Sequence, residues 1–542
     1  MKKLKLIAFV AAFTLAANAA RAQDDSALLD LLVKKKIITD QEAEQTKSEL
    51  AQQYASSPAG KLNLSTPIQQ IRLYGDARLR YDYREGNTQG ASGGSDSSNA
   101  DQIRYRLRIG ADVTLTDDWF LGIRLDTSNN ARSTNVTDSQ GQTNTAPFGK
   151  AGTVTTTYVT GVTVKKNAAG AVTSVTPTTA TAVSSVNFGS AIFVGQLYLR
   201  YKPFSWLSLE GGVLPNPFIA TPMVWDPDIN PSGVAEQFKY TFGPFGGGST
   251  TAGYDKDGKE SKGVASAFNP SGLTLDVFAN FAQLVYDDAS PENQFSTATS
   301  SPAGRNDTFL LGWQVGSRLN YKGAHIQIAP TFYDYTGEQN SDFGAVYSGD
   351  PGGNQTGVNN LAVIDVPVEL GWQSWGVPFT VFGDFADNID ANARANEAEL
   401  TLTQLQQAGT PLVNTNGTPF AAHPGHNDGI AWQAGLRAGQ IKKKGDWTLA
   451  GYYQYSGAYA LDPNLVDNDI FDARLNMKGV VFQAGYALTD AVTLNLQYNY
   501  GRRIDQSLGT GGAGGTLGTS TSAAAPILHN YELLQLDINV KF

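Results

Sequence analysis

The 542-residue chain contains no cysteine, three methionines and four histidines. Without cysteine there is no disulfide framework and no thiol chemistry, so an exported form must hold its fold by other means. Four histidines, His325, His423, His426 and His529, leave little scope for metal or acid–base chemistry. His423-x-x-His426 lies in a loop-like stretch without the glutamate and helix of a zinc-protease motif. No nucleophile, base and orienting group stand out together, so the chain is not expected to be an enzyme. Long hydrophobic runs are also missing. After the first residues no segment approaches the roughly 20 apolar residues of a spanning helix. Positive charge is in deficit, with a formal net charge of −10, which disfavours a nucleic-acid partner.

What is present begins with an export signal. Met1-Lys2-Lys3-Leu4-Lys5 is a positive n-region, Leu6 to Ala20 an apolar core, and Ala20-Arg21-Ala22 a small-x-small cleavage site. This predicts a signal peptide over 1–22. Its removal takes four basic residues and no acid, so the mature chain is more acidic still. Residues 23–66 are read as a periplasmic helical arm and linker. Leu28, Leu29, Leu32 and Val33 share a helical face, and Thr39 and Glu42 have capping-box spacing.

From about residue 69 the period changes to two. In "IRLYGDARLRYDY" Ile71, Leu73, Gly75, Ala77, Leu79, Tyr81 and Tyr83 fall on one face. Arg72, Tyr74, Asp76, Arg78, Arg80 and Asp82 fall on the other, and "IRYRLRIGADVTL" repeats the pattern. Sixteen such segments are expected, starting near residues 70, 101, 119, 188, 206, 260, 273, 307, 324, 360, 377, 429, 447, 476, 491 and 531. For the sixth, "EQFKYTF" (236–242) is the alternative, with 243–272 then an insertion. Short connections such as "TDD" (116–118) and "SWG" (374–376) alternate with long Gly-, Ser- and Asn-rich ones. Aromatic residues gather near strand ends: Trp119, Tyr201, Trp206, Tyr321, Trp372, Trp447, Tyr498 and Tyr500. Alternation, short turns opposite long loops, and aromatic girdles together describe a transmembrane barrel. The expected fold is therefore all-β: an antiparallel up-and-down outer-membrane barrel over 67–542, following the short α-helical segment.

The chain finishes in the same pattern. In "YELLQLDINVKF" Leu534, Leu536, Ile538, Val540 and Phe542 are apolar, and Gln535, Asp537, Asn539 and Lys541 are polar. The last strand must pair with the first to abolish an open edge. A terminal aromatic on an alternating strand, Phe542 with Val540 and Ile538, resembles the recognition signal read by the barrel assembly machinery.

Placing the polar face inward gives a charge map. Arg72, Arg78, Arg80, Arg104, Arg106, Arg108, Arg124 and Arg200 are candidate basic pore-lining residues. Asp276, Asp365, Glu369 and Asp384 are the acidic candidates further round. Strand order follows sequence, so the two sets should face one another and bias ion selectivity. "VWDPDINPSGVAE" (224–236) is a candidate constriction loop, with Trp225 as a packing anchor and Asp226, Asp228, Asn230 and Glu236 as polar groups. Asp226-x-Asp228-x-Asn230 resembles the start of a calcium loop. However, Pro231 stands where glycine is needed and Glu236 comes one place early, so no cofactor is expected. The acidic runs "DKDG" (255–258) and "DPNLVDND" (462–469) are read as solvated loop faces open to lipopolysaccharide-bridging ions. Tyr74, Tyr198, Tyr333 and Tyr452 face inward and are read as ordinary packing, with sugar stacking as the alternative.

The segments "ALLDLLVKKKIIT", "LYGDARLRYDY", "RYRLRIGAD", "LYLRYKPFSWLSLEGGVLPNPF" and "MVWDPDINPSGVAEQF", with the terminal strand, resemble the putative porin family of Gram-negative outer membranes. That family is distantly related to the phosphate-selective porins O and P. The Thr/Val-rich stretch 152–187 and the Gly-rich stretch 243–259 read as insertions. The resemblance implies a passive diffusion channel for small hydrophilic solutes, commonly a homotrimer, seated in outer-membrane lipid with its arm and C-terminus periplasmic. Two alternatives stay open: a channel specific for phosphate-like anions or sugars, and a structural tether between outer membrane and cell wall.

Overall fold

The structure is a computed structural model. It describes residue 39 and residues 67–89, 95–128, 136–137, 152–166, 172–186, 191–245, 272–287, 308–336, 358–396, 428–505, 508, 510 and 527–542. The signal segment, the helical arm apart from Thr39, His423, His426 and the 255–258 run lie outside the described residues.

Ile71–Lys541 form one unit, a closed antiparallel barrel of 16 strands. In chain order these are β1 (Gln70–Gln89), β2 (Ser95–Thr114), β3 (Trp119–Ser128), β4 (Ala191–Phe204), β5 (Leu207–Val213), β6 (Ser232–Phe245), β7 (Leu273–Asp287) and β8 (Thr308–Tyr321). There follow β9 (Ala324–Ile328 and Thr331–Thr336), β10 (Ala362–Asp365 and Val368–Ser374), β11 (Val377–Asn388), β12 (Ile430–Gly439), β13 (Trp447–Ser456), β14 (Met477–Ala487), β15 (Val492–Arg503) and β16 (Ile527–Lys541). β9 and β10 are each interrupted beside a proline, Pro330 and Pro367, which have no N–H to donate to the ladder. The register nevertheless runs through: Gln314↔Thr331 and Ser317↔Ile328 lie in one alignment of β8 with β9. Each half of β9 likewise pairs with one half of β10. Among the described residues no helix is long and apolar enough to cross a membrane.

Closure is made by β16, which pairs with β15 on one side and β1 on the other. Ile538 lies opposite Leu494 and Leu79, and Val540 opposite Val492 and Ala77. Among the described residues the barrel sheet thus has no open edge. A separate two-stranded sheet pairs Gly152–Lys166 with Val172–Val186.

The alternation in the sequence becomes inside and outside. In β1, Leu73 and Leu79 are exposed, whereas Arg80, Asp82 and Arg84 are buried. In β8, Phe309, Trp313 and Val315 are exposed between buried Leu310 and Gln314. Exposed apolar side chains around a closed barrel are what a lipid contact requires. Rings stack at the strand ends: Trp119 on Tyr201 with centroids 4.4 Å apart, Phe204 on Trp206 at 5.1 Å, and Trp372 on Phe379 at 5.7 Å.

One strand departs from the main expectation. The sixth begins at Ser232, not near 260, and contains the "EQFKYTF" alternative. β6 pairs with β5 in continuous register and with β7 in a register that shifts only between Leu273 and Leu275, so residues 246–272 join β6 to β7. Their Gly-rich start had obscured where the alternation stopped. The shift also moves Glu236 out of the constriction loop. It lies within β6, on the face shared by exposed Val234 and Tyr240.

Candidate functional site

Two connections fold into the barrel from the same end. The first, 214–231, joins β5 to β6. The second, 457–476, joins β13 to β14. They meet there: the Asp226 N–H donates to Leu465 O at 2.6 Å, and the Asp467 N–H donates to Pro222 O at 3.2 Å.

The first loop is fastened on two sides. Leu214 N–H donates to Pro231 O, closing its base. On the β8 side Gln314 grips it with both ends of its amide: its Oε1 accepts from Ile219 N–H at 2.9 Å, and its Nε2 donates to Ile219 O at 2.9 Å. Thr221 donates its hydroxyl to Asp384 of β11. Phe218 and Trp225 pack with Tyr333 of β9, the Phe218–Tyr333 rings meeting edge-on at 5.4 Å. Leu284, Leu310, Val363, Leu461 and Val466 extend this buried apolar cluster. The inner face of β7–β10 therefore turns apolar where loops cover it, which strict alternation does not reveal. On the opposite side Asp228 pairs with Arg106 at 3.3 Å and Arg108 at 3.6 Å. Gln196 donates to Asn230 at 2.8 Å. Asp226 accepts from Asp228 N–H at 2.8 Å. The three oxygens of the Asp226-x-Asp228-x-Asn230 run are thus engaged by separate groups of the protein.

The second loop contains the "DPNLVDND" run (462–469), which reads from sequence as a solvated acidic face. The structure corrects this: Asp462 and Asp472 are buried, and Asp469 reaches the arginines. Asp469 pairs with Arg80 at 2.5 Å and Arg84 at 3.1 Å, and its carbonyl accepts from Gln497 and Asn499. Asp462 accepts from Tyr335 at 2.5 Å and Tyr286 at 3.1 Å. At the loop's far end Phe471, Asp472 and Ala473 adopt left-handed backbone with φ of 50°, 61° and 56°. Such a run of non-glycine residues costs roughly 1–2 kcal/mol each. Arg84 at 3.0 Å and Arg474 at 3.5 Å bind the Asp472 carboxylate and hold the turn in place.

The eight arginines singled out in the sequence are interleaved with acids and pair with them. Arg72 pairs with Asp112 at 2.5 Å, Arg80 with Asp537 at 2.7 Å and Arg104 with Asp82 at 3.2 Å. Arg106 and Arg108 share Asp76 at 2.8 and 2.5 Å. Arg124 pairs with Asp126 at 2.6 Å and Arg200 with Glu210 at 2.6 Å, while Arg78 stands 3.8 Å from Asp537. The sequence reading missed Arg84, the most enclosed of the set, which binds Asp82 at 2.9 Å. Its signal was present: β1 continues past Tyr83 with unchanged parity.

Electrostatics at the loop junction follow from this wiring. Burial alone would raise Asp469, but Arg80, Arg84, Arg104 and Arg78 outweigh it and hold the carboxyl far below its ordinary range. Asp228 is likewise lowered against its burial by Arg106, Arg78 and Arg108. At Asp467 the pull of Arg80 is outweighed. Burial, then the negative charge of Asp469, push it up to about 7. Burial and the neighbouring Asp467 raise Asp226 as well.

The acidic candidates do not form an open wall. Asp276 accepts from Thr241 at 2.7 Å, and Glu369 meets His325 at 2.5 Å. Asp365 and Asp384 are buried beneath the first loop. The inward tyrosines lie against the wall. A Cβ built on Gly110 would fall 2.3 Å from the Tyr74 ring, and one on Gly122 would fall 2.4 Å from the Tyr198 ring. At Gly435 the atoms close to such a Cβ instead include the Tyr452 Cβ at 2.3 Å and the Phe382 ring at 2.9 Å. This is packing, with the Tyr74 and Tyr198 rings each occupying the space a neighbouring glycine leaves.

Comparison with known families adds one finding. The family described as "Putative porin" matches residues 168–359. That is a porin likeness. The matched span runs from the second strand of the two-stranded sheet through β9 and includes the first inward loop and the 243–259 stretch. No curated protein matches the chain. The match and the 16-strand barrel together fit an outer-membrane porin channel rather than an enzyme.

Proposed function

We propose that this barrel is an outer-membrane porin through which small hydrophilic solutes and ions diffuse passively. One observation carries the reading: a closed strand barrel, apolar outside, has a charged inner wall onto which two loops are fastened. Only such closure satisfies every backbone group in lipid while leaving a polar interior. Arg72, Arg78, Arg80, Arg104, Arg106, Arg108, Arg124 and Arg200 would line the conduit on one side, with loop 214–231 narrowing it. Because these arginines are interleaved with carboxylates, the expected selectivity is weak. That balance favours general diffusion over the phosphate specificity that kinship to porins O and P would imply.

In this reading β16 is delivered by the barrel assembly machinery, and the N-terminal arm and the C-terminus are periplasmic. Lipopolysaccharide meets the opposite rim, and the working unit is a homotrimer. Proteoliposome swelling tests the proposal. Reconstituted protein should admit uncharged sugars at rates falling with sugar size. Liposomes that swell no faster than protein-free controls, despite folded protein, would contradict it.

A further inference from the structure

We propose that Asp365 and Asp384 form a binding site for a hard divalent cation, of the calcium or magnesium class, in the barrel wall beneath the first inward loop. The two carboxylates are 0% and 3% exposed. They stand on neighbouring strands, Asp365 of β10 opposite Ala386 of β11, and Asp384 two residues along on the same face. Both side-chain oxygens of Asp365 and Oδ1 of Asp384 have no hydrogen-bond partner. The other Asp384 oxygen accepts from Thr221.

Two further buried oxygens are unpartnered at the same place. Tyr333, 3% exposed, interacts electrostatically with both carboxylates, and its hydroxyl makes no hydrogen bond. Gln433, 3% exposed, sits directly opposite Asp384 in the β11–β12 register, and its Oε1 is likewise unpartnered.

The contrast with the arginine side is what gives this cluster meaning. There, buried Asp82, Asp126, Glu210 and Asp537 each meet a guanidinium. Among the described residues no arginine, lysine or histidine forms an ion pair with Asp365 or Asp384. Two adjoining buried carboxylates cannot both ionise without a compensating positive charge. A shared proton would neutralise one of them, yet it would leave most of the orphaned acceptors unsatisfied. A cation satisfies several at once. Two carboxylates match a double charge, and an all-oxygen donor set of carboxylate, amide and hydroxyl suits calcium or magnesium rather than a softer metal. Bound there, the ion would also brace Thr221, and through it the loop, against the wall. The site does not depend on how the barrel transports.

The test uses full-length mature protein. It is unfolded in chelator, refolded into detergent micelles with calcium chloride or magnesium chloride, desalted, and assayed by elemental mass spectrometry. About one ion per chain is expected, with a higher urea midpoint than in chelator. In Asp365→Asn/Asp384→Asn the ion should be lost and the midpoint should no longer respond to it. An equal ion content in wild type and double variant would overturn the proposal. So would a wild-type midpoint unmoved by either salt, which would assign the pair a shared proton. Should the double variant fail to fold, terbium(III) emission excited through Trp225 and Tyr333 in wild type decides. Emission displaced by calcium supports the site, and its absence overturns it.

Discussion

Arg84 is 1% exposed, and its guanidinium reaches Asp82, Asp469 and Asp472, so it joins the wall to the second loop through three carboxylates. Removing one partner from such a cluster leaves buried negative charge without compensation. Arg84→Ala should lower stability by about 3–5 kcal/mol. Urea titration, followed by the gel-mobility shift between folded and heat-denatured barrel, checks this. Asp467 predicts a pH effect of definite sign. Its folded value of about 7 lies above the ordinary carboxylate value, so the folded state holds the proton more tightly. Its stabilisation of the loop junction is complete below the unfolded pKa and disappears as pH rises through about 7. Asp469 and Asp228 have the opposite sign, their contribution being lost only in stronger acid. Open-channel current noise should therefore rise between about pH 5 and 8 as the junction loosens, and the rise should vanish in Asp467→Asn.

At the scale of strands and loops, glycine and tyrosine set the wall. Gly122→Val would drive a side chain into the Tyr198 ring, overpacking that costs about 1–3 kcal/mol. Thermal unfolding of the refolded barrel measures it. Loop 214–231 hangs on Gln314, Thr221 and Asp228, so replacing residues 219–229 with a short Gly-Ser link should raise single-channel conductance severalfold without unfolding the barrel. Unchanged conductance would show that the loop does not narrow the conduit.

These elements also show what the sequence could and could not disclose. Fifteen strands were visible within a few residues of their starts, because one face must meet lipid and the alternation is then enforced. β6 was misplaced in the main assignment because its short alternation runs from an inward loop into a glycine-rich stretch. Parity put the arginines on one face, but it could not show that Arg80 and Arg84 also take partners from the second loop, 389 positions away for Arg80 and Asp469. The "DPNLVDND" run reads as solvated in isolation; only the fold brings it against Arg80 and Arg84. Leu310 and Val363 were invisible as interior residues for the same reason, since the loops make their surroundings apolar.

For the whole molecule, interleaved charge on the inner wall sets the expectation for transport. Guanidinium and carboxylate nearly offset one another, so the channel should discriminate weakly between anions and cations. Neutralising Arg104, Arg106 and Arg108 together would leave Asp82, Asp76 and Asp228 with fewer partners. The reversal potential in a salt gradient should then move toward cations, and an unchanged value would remove these arginines from selectivity. The most direct test of the central claim is single-channel recording of the refolded chain in a planar bilayer under that gradient. The account predicts ohmic current steps with a small reversal potential. Correctly folded barrels that insert yet pass no current would contradict it.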